Sequence, residues 1–337
     1  MMKSYLLPAA ALLLSISAAN AQVTERPSPV DLLRKSYEKP LVTIETVPIG
    51  NPRNSKDKDT GYGAVAHEFA MGKYDVTVAQ YAAFLNAKAD IPPNKVIEDL
   101  WCVEMTGFNK RGKAEKPGPL ITRTGSGTTA DPYKYEVATT PEWGERSGDR
   151  PICWVTWFDA ARFANWINNG ATKSADTEKG AYSLPNYMAE GIVKKNPAAH
   201  WWIPSEDEWY KAAYYDPIMP GGGGYHLYPT RSNEVPHMTK PPGPANSANF
   251  NNFNSKRGNV LTPVGAYELS SSAYGTFDQG GNLWQWTDGV YHSNRIVRGG
   301  SYSYGITPLR KTIRRDYQPG FYEDDDTGFR LASRKVK

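Results

Sequence analysis

Three helix starts stand before residue 217, and after about residue 258 no amphipathic helix of any length can be traced. Each start has capping-box spacing, in which a hydroxyl and a side chain three residues on satisfy each other's backbone N–H groups. Thr77-x-x-Gln80 opens the first, with Tyr81, Phe84 and Leu85 on one face. Thr156-x-x-Asp159 opens the second, whose apolar residues Ala160, Phe163, Ala164 and Ile167 follow the helical period. Ser205-x-x-Glu208 opens the third, which Asp216-Pro217 should end. Short strands are expected at Leu41 to Val47, Val260 to Val264, Arg295 to Arg298 and Phe329 to Ala332. Helices early and short strands late predict an α+β domain. The 30 glycines, 26 prolines and 41 aromatic residues suit a loop-rich interior filled by rings.

The N-terminus reads as an export signal. Met1 to Ser4 is short and positive, Tyr5 to Ala18 is apolar, and Ala19-Asn20-Ala21 is a small-x-small cleavage site. Residues 1–21 are therefore expected to be a signal peptide, and residues 22–41 a polar N-terminal arm. The main domain is expected over 42–334, in a periplasmic or extracellular bacterial protein. No later segment is apolar enough to span a bilayer. Removing residues 1–21, which hold one lysine and no acid, leaves a formal charge of +3 without any Lys/Arg run. Nucleic-acid binding gains no support from that balance. The two cysteines, Cys102 and Cys153, are a candidate disulfide, with two buried free thiols as the alternative. Between the first two helices a long insertion, about 90–148, carries a Gly/Ser/Thr run from Thr124 to Thr129.

Six segments in order carry a resemblance. They are Gly72 to Thr77, Arg150 to Ala160, Trp202 to Trp209, Gly281-Asn282-Leu283-Trp284-Gln285-Trp286, Val297 to Tyr302, and Gly328 to Ala332. Together they resemble the formylglycine-generating-enzyme, or sulfatase-modifying-factor, family over nearly all of 42–334. The resemblance implies a fold low in regular structure and related to C-type lectins. It places the family's two copper-binding cysteines on Tyr304 and Leu309, neither of which supplies a thiolate. Formylglycine formation and copper binding are therefore not expected. Ser301 and Trp284 match neighbours of that site. A groove lined by Trp284, Tyr302, Tyr304 and Tyr317, with Arg298 nearby, is expected to hold a peptide or a glycan, or to meet an envelope protein.

The resemblance also implies a structural calcium ion on the side chains of Asp278 and Gln285 and the carbonyls of Gly281 and Leu283. Oxygen donors of this kind suit Ca²⁺. A second calcium site would begin at Asn249 and the Phe250 carbonyl, but its downstream acid aligns near Lys256. An iron oxidase is the alternative, using His67, His200, His226, His237 or His292 as ligands. These histidines are well separated, which argues against a facial triad. Asp324-Asp325-Asp326 reads as a solvated acidic loop, and Arg330 as a buried partner for carboxylates or carbonyls.

Overall fold

A computed structural model describes residues 39–89, 99–184, 192–251 and 260–334. Residues 40–337 form one compact unit. Residues 1–39 form a second, of which only Lys39 is described. The signal segment, the arm as far as residue 38, and Lys256 thus lie outside the described residues.

All three expected capping boxes close. Helix α1 (Val78–Ala89) follows Thr77, whose N–H donates to Gln80 Oε1 at 2.9 Å while Gln80 N–H returns to Thr77 Oγ1 at 3.2 Å. Helix α2 (Trp157–Asn168) and helix α3 (Glu206–Tyr214) are capped in the same reciprocal way by Thr156/Asp159 and Ser205/Glu208. Each box satisfies N–H groups that a helix start leaves without partners. The buried faces of α1 and α2 meet through Tyr81, Phe84, Phe163 and Trp166, with Phe329 closing the stack. Each such ring removes 150–250 Å² from water, roughly 4–6 kcal/mol of transfer free energy for the larger rings.

Four strands, β1 (Thr46–Ile49), β2 (Phe69–Gly72), β5 (Trp201–Trp202) and β14 (Ala332–Ser333), make an antiparallel sheet in the order β1-β2-β14-β5. The insertion folds as a hairpin of β3 (Ile121–Thr124) and β4 (Lys134–Val137), and the Gly/Ser/Thr run is its loop. Two short pairs follow: β6 (Tyr215–Asp216) with β7 (Gly224–Tyr225), and β8 (His237–Met238) with β9 (Ser247–Ala248). A second sheet takes the order β12-β11-β10-β13. Its strands are β10 (Trp284–Tyr291), β11 (Asn294–Arg298), β12 (Arg315–Pro319) and β13 (Thr327–Gly328). The resulting mixture of three helices, short strands and long loops, counted over the described residues, is the α+β architecture expected.

Two strand boundaries differ from expectation. The first strand begins at Thr46 rather than Leu41, and Val260 to Pro263 is buried but pairs with no strand among the described residues. Phe329 to Leu331 also lie outside β14, yet Val76 N–H and Gly72 N–H bond to their carbonyls. Among the described residues no helix is long and apolar enough to cross a membrane.

Candidate functional site

Strands β10 and β11 bring the resemblance-derived positions together at their ends. After β11 the chain turns at Gly299 and Gly300, with φ of +104° and +72°. A Cβ at Gly299 would lie 2.7 Å from the Gln279 carbonyl oxygen, and one at Gly300 2.8 Å from Leu309 Cδ1. Only glycine fits both the dihedrals and the space. The turn aims Ser301 at the acidic loop. Ser301 Oγ donates to Asp326 Oδ2 at 2.6 Å, Ser303 Oγ donates to the same oxygen at 2.8 Å, and Tyr302 OH donates to Asp325 Oδ2 at 2.6 Å. Asp326 is buried rather than solvated, which corrects the reading of the acidic run as an exposed loop. Burial pushes the Asp325 carboxyl up to about 7, and Asp326 also rises by burial.

Trp284 meets the edge of Tyr304 with ring centroids 5.8 Å apart. The Arg315 guanidinium lies over both rings and donates to the Tyr304 hydroxyl. Leu309 is fully buried among Tyr228, Ala248 and Phe250. The positions aligned with the family's cysteines are therefore a phenol engaged by arginine and a core leucine.

The expected aromatic groove does not form as read. Trp284 and Tyr302 are core residues at 2% and 0% exposure, and only Tyr304, at 40%, faces solvent. The side chain of Tyr317 lies outside the described part of the structure. Arg298 belongs to another cluster. It is buried, 2.6 Å from Glu206, bonded to the carbonyls of Lys311 and Ile313, and stacked near Tyr62 and Tyr210.

The calcium ligands fare no better. Gln285 Oε1 accepts from Trp209 Nε1 at 2.7 Å and from Arg330 Nε at 2.8 Å, so its lone pairs are taken by donors. Its Nε2 donates to the Asp278 carbonyl at 2.7 Å. Asp278 Oδ2 accepts from Gly265 N–H at 2.6 Å. Gly281 packs so closely on the Asn249 carbonyl that a Cβ would come within 2.3 Å, and Leu283 is in the core. The cation at this place is Arg330 itself. Its guanidinium, fully buried as expected, bonds to the carbonyls of Gly72, Lys73 and Phe277 and stands 3.1 Å from Asp75. A divalent ion on Gln285 would face that charge, and the donor set does not fit one. At the second calcium position, Asn249 Nδ2 is turned to the Val260 carbonyl and to Asn282.

The expected bridge is absent: Cys102 and Cys153 are both free thiols. Cys102 Sγ is directed at the Trp154 carbonyl, 3.9 Å away, and Cys153 is fully buried. Burial raises both thiols well above their ordinary range. The fold carries both toward the acidic loop. Cys153 feels the charges of Asp325 and Asp326, and ligand atoms of Cys102, Glu104 and Glu323 lie within 4.8 Å of one another.

Cys102 also opens onto a cavity of about 670 Å³, which the sequence did not reveal. Its walls come from Trp101, Arg123 and Tyr133 of the insertion, Phe158 of α2, and Phe321 and Glu323 of the acidic loop. More than 200 positions separate its extreme members, so no local motif marks it. Burial, with the negative charges of Asp159 and Glu104, pushes the Glu323 carboxyl up to about 7.

The histidines remain scattered in their contacts. His67 bonds to Glu208 and His226 to Asp216. No histidine joins a metal-ligating cluster among the described residues.

Comparison with known proteins places these observations. The family model described as "Sulfatase-modifying factor enzyme 1-like domain" matches residues 43–335. A hercynine oxygenase of Mycolicibacterium smegmatis is 26% identical over 273 residues, 73% of this chain and 48% of its own. The chain thus spans about half the length of that relative. Among solved structures, Treponema denticola variable protein 1 has a TM-score of 0.53 at 16% identity, covering 87% of this chain and 96% of that one. CarF has a TM-score of 0.48 at 18% identity, covering 87% and 99%.

Proposed function

This chain belongs to the sulfatase-modifying factor enzyme 1-like family, and we propose that it acts there as a binding module that does not generate formylglycine. One observation carries the reading. Where the resemblance calls for two thiolates, this chain has Tyr304, held by Arg315, and Leu309, packed in the core. A phenol is a hard oxygen donor that ionises near pH 10, and leucine offers no lone pair, so copper(I) finds no soft ligand pair there. The surrounding hydroxyls are committed to Asp325 and Asp326.

The test is aerobic incubation of the purified protein with a Cys-x-Pro-x-Arg peptide, with and without copper. We expect the cysteine mass to stay unchanged. A protein-dependent loss of about 18 Da, the difference between cysteine and formylglycine, would overturn the reading.

A second reading, an oxidase using other ligands, draws support from the hercynine oxygenase likeness and from Cys102, Glu104 and Glu323. Thiolate with two carboxylates is a donor set that transition metals accept. Metal analysis of the purified protein separates the two: stoichiometric iron or copper favours the second, whereas redox-inert zinc does not. The signal-like residues 1–21 support export, and N-terminal sequencing of the mature protein should begin at Gln22.

A further inference from the structure

Three cations line the cavity beside Cys102, namely Lys110, Arg123 and Arg162, and Arg123 is the one held by aromatic rings. The Arg123 guanidinium lies over two rings, 4.0 Å from the Trp101 centroid and 4.2 Å from that of Tyr133. Contact with both rings restrains the guanidinium while its N–H groups stay available to a ligand. Among the described residues none of those N–H groups has a hydrogen-bond or ion-pair partner, and Arg123 lines the cavity. The neighbouring Arg162 is already engaged by both oxygens of Glu178, at 2.8 and 3.0 Å. Asp159 is likewise consumed as the cap of α2.

The carboxylate side differs in kind. Glu323 faces the cavity and clusters with Cys102 and Glu104, and the buried Glu104 Oε2 has no hydrogen-bond partner. Two carboxylates confined together favour a cation or a hydrogen-bond donor between them. They also oppose a dianion, so a phosphate on Arg123 is disfavoured relative to a single carboxylate. Phe158 and Phe321 add apolar wall, and Phe321 is 58% exposed, as a residue at an open mouth would be. A volume of about 670 Å³ suits a ligand of amino-acid to short-peptide size.

We propose that this cavity binds an amino-acid-like zwitterion, with its carboxylate on Arg123, its ammonium toward Glu104 and Glu323, and its apolar part against Phe158 and Phe321. The inference rests on reading the domain as a binding module, and the peptide-oxidation assay above tests that reading separately.

Calorimetric titration of the full mature chain decides it. The probes are L-phenylalanine, the dipeptide L-phenylalanyl-L-phenylalanine, N-acetyl-L-phenylalanine, L-phenylalaninamide and inorganic phosphate. At least one zwitterion should bind, and comparing the first two distinguishes a free amino acid from a peptide. Removing the ammonium or the carboxylate should each weaken binding by at least about tenfold, because the ligand then covers a half-buried charged partner without satisfying it. Arg123→Gln should weaken the zwitterion by at least about tenfold while the melting temperature holds. Glu323→Gln should weaken the zwitterion but not the N-acetyl compound. This second variant leaves Arg123 and its two rings intact, so it tests the site even if Arg123→Gln misfolds. The inference is overturned if neither zwitterion binds, if phosphate binds more tightly than both, or if the amide binds as well as the acid. Equal loss of the zwitterion and the N-acetyl compound in Glu323→Gln would overturn it as well.

Discussion

Arg330→Met should destabilise the protein by an amount that grows with pH. The guanidinium is fully buried and serves Gln285, three backbone carbonyls and Asp75. Methionine fills much of the volume but supplies no donor. Two carboxyls beside it are perturbed by their surroundings. Burial pushes Asp75 up to about 7, against the pull of Arg330, and pushes Asp278 up to about 6. Because both folded values lie above the unfolded value near 3.9, the parent protein is most stable below about pH 4 with respect to these groups. That contribution is lost as pH rises toward 6 and 7. At pH 5.5 both carboxyls are largely protonated with or without the arginine. The variant then loses mainly hydrogen bonds to buried acceptors, about 1–3 kcal/mol for each acceptor left without another donor. At pH 8.5 the parent's carboxylates are ionised beside Arg330. The variant must bury them unpaired or keep them protonated, and the second choice costs about 1.4 kcal/mol per pH unit for each group. Removing one partner of a buried pair costs about 3–5 kcal/mol, so the loss at pH 8.5 should exceed that at pH 5.5 by up to about this amount. Urea unfolding of both proteins at pH 5.5 and 8.5 reads it. An equal loss at the two pH values would refute the reasoning, since it would mean that Arg330 does not stabilise carboxylate charge.

Three further outcomes are expected. EDTA should leave the melting temperature unchanged, and Asp278→Ala should destabilise equally with and without calcium; a calcium-dependent melt that the variant abolishes would restore the ion. Ser301→Ala should cost about 1–3 kcal/mol in chemical unfolding, because the buried Asp326 carboxylate loses a 2.6 Å donor. Gly281→Ala should cost more than about 2 kcal/mol, since φ is +79° and the new methyl group meets the Asn249 carbonyl; a neutral result would show that this turn relaxes easily.

The helices were legible because capping boxes are local: residue type and a spacing of three determine the interaction. Trp284 and Trp286, two apart, lie on one side of β10, as an extended strand requires, although Gln285 and Thr287 on the other side are buried too. Arg330 was recognisable as a buried hub because a guanidinium offers more donors than solvent-free packing leaves unused. Gln285 was misread because a motif records an amide but not the direction of its lone pairs, which Trp209 and Arg330 decide from distant segments. Leu41 to Ile44 alternate like a strand, yet pairing is set by the partner, and β2 aligns with Thr46 to Ile49. The cavity escaped detection because Trp101, Arg123, Phe158 and Glu323 meet only through tertiary folding.

The place of β14 has a consequence for synthesis. This strand, at Ala332 and Ser333, sits between β2 and β5 rather than at the sheet's margin. Among the described paired segments it is the last to be synthesised, so until it emerges both neighbours present unzipped backbone edges. Such edges invite pairing with other chains. The first sheet can therefore close only once Ala332 and Ser333 have been made. A stall or truncation just before Leu331 would leave β2 and β5 with no strand to join them.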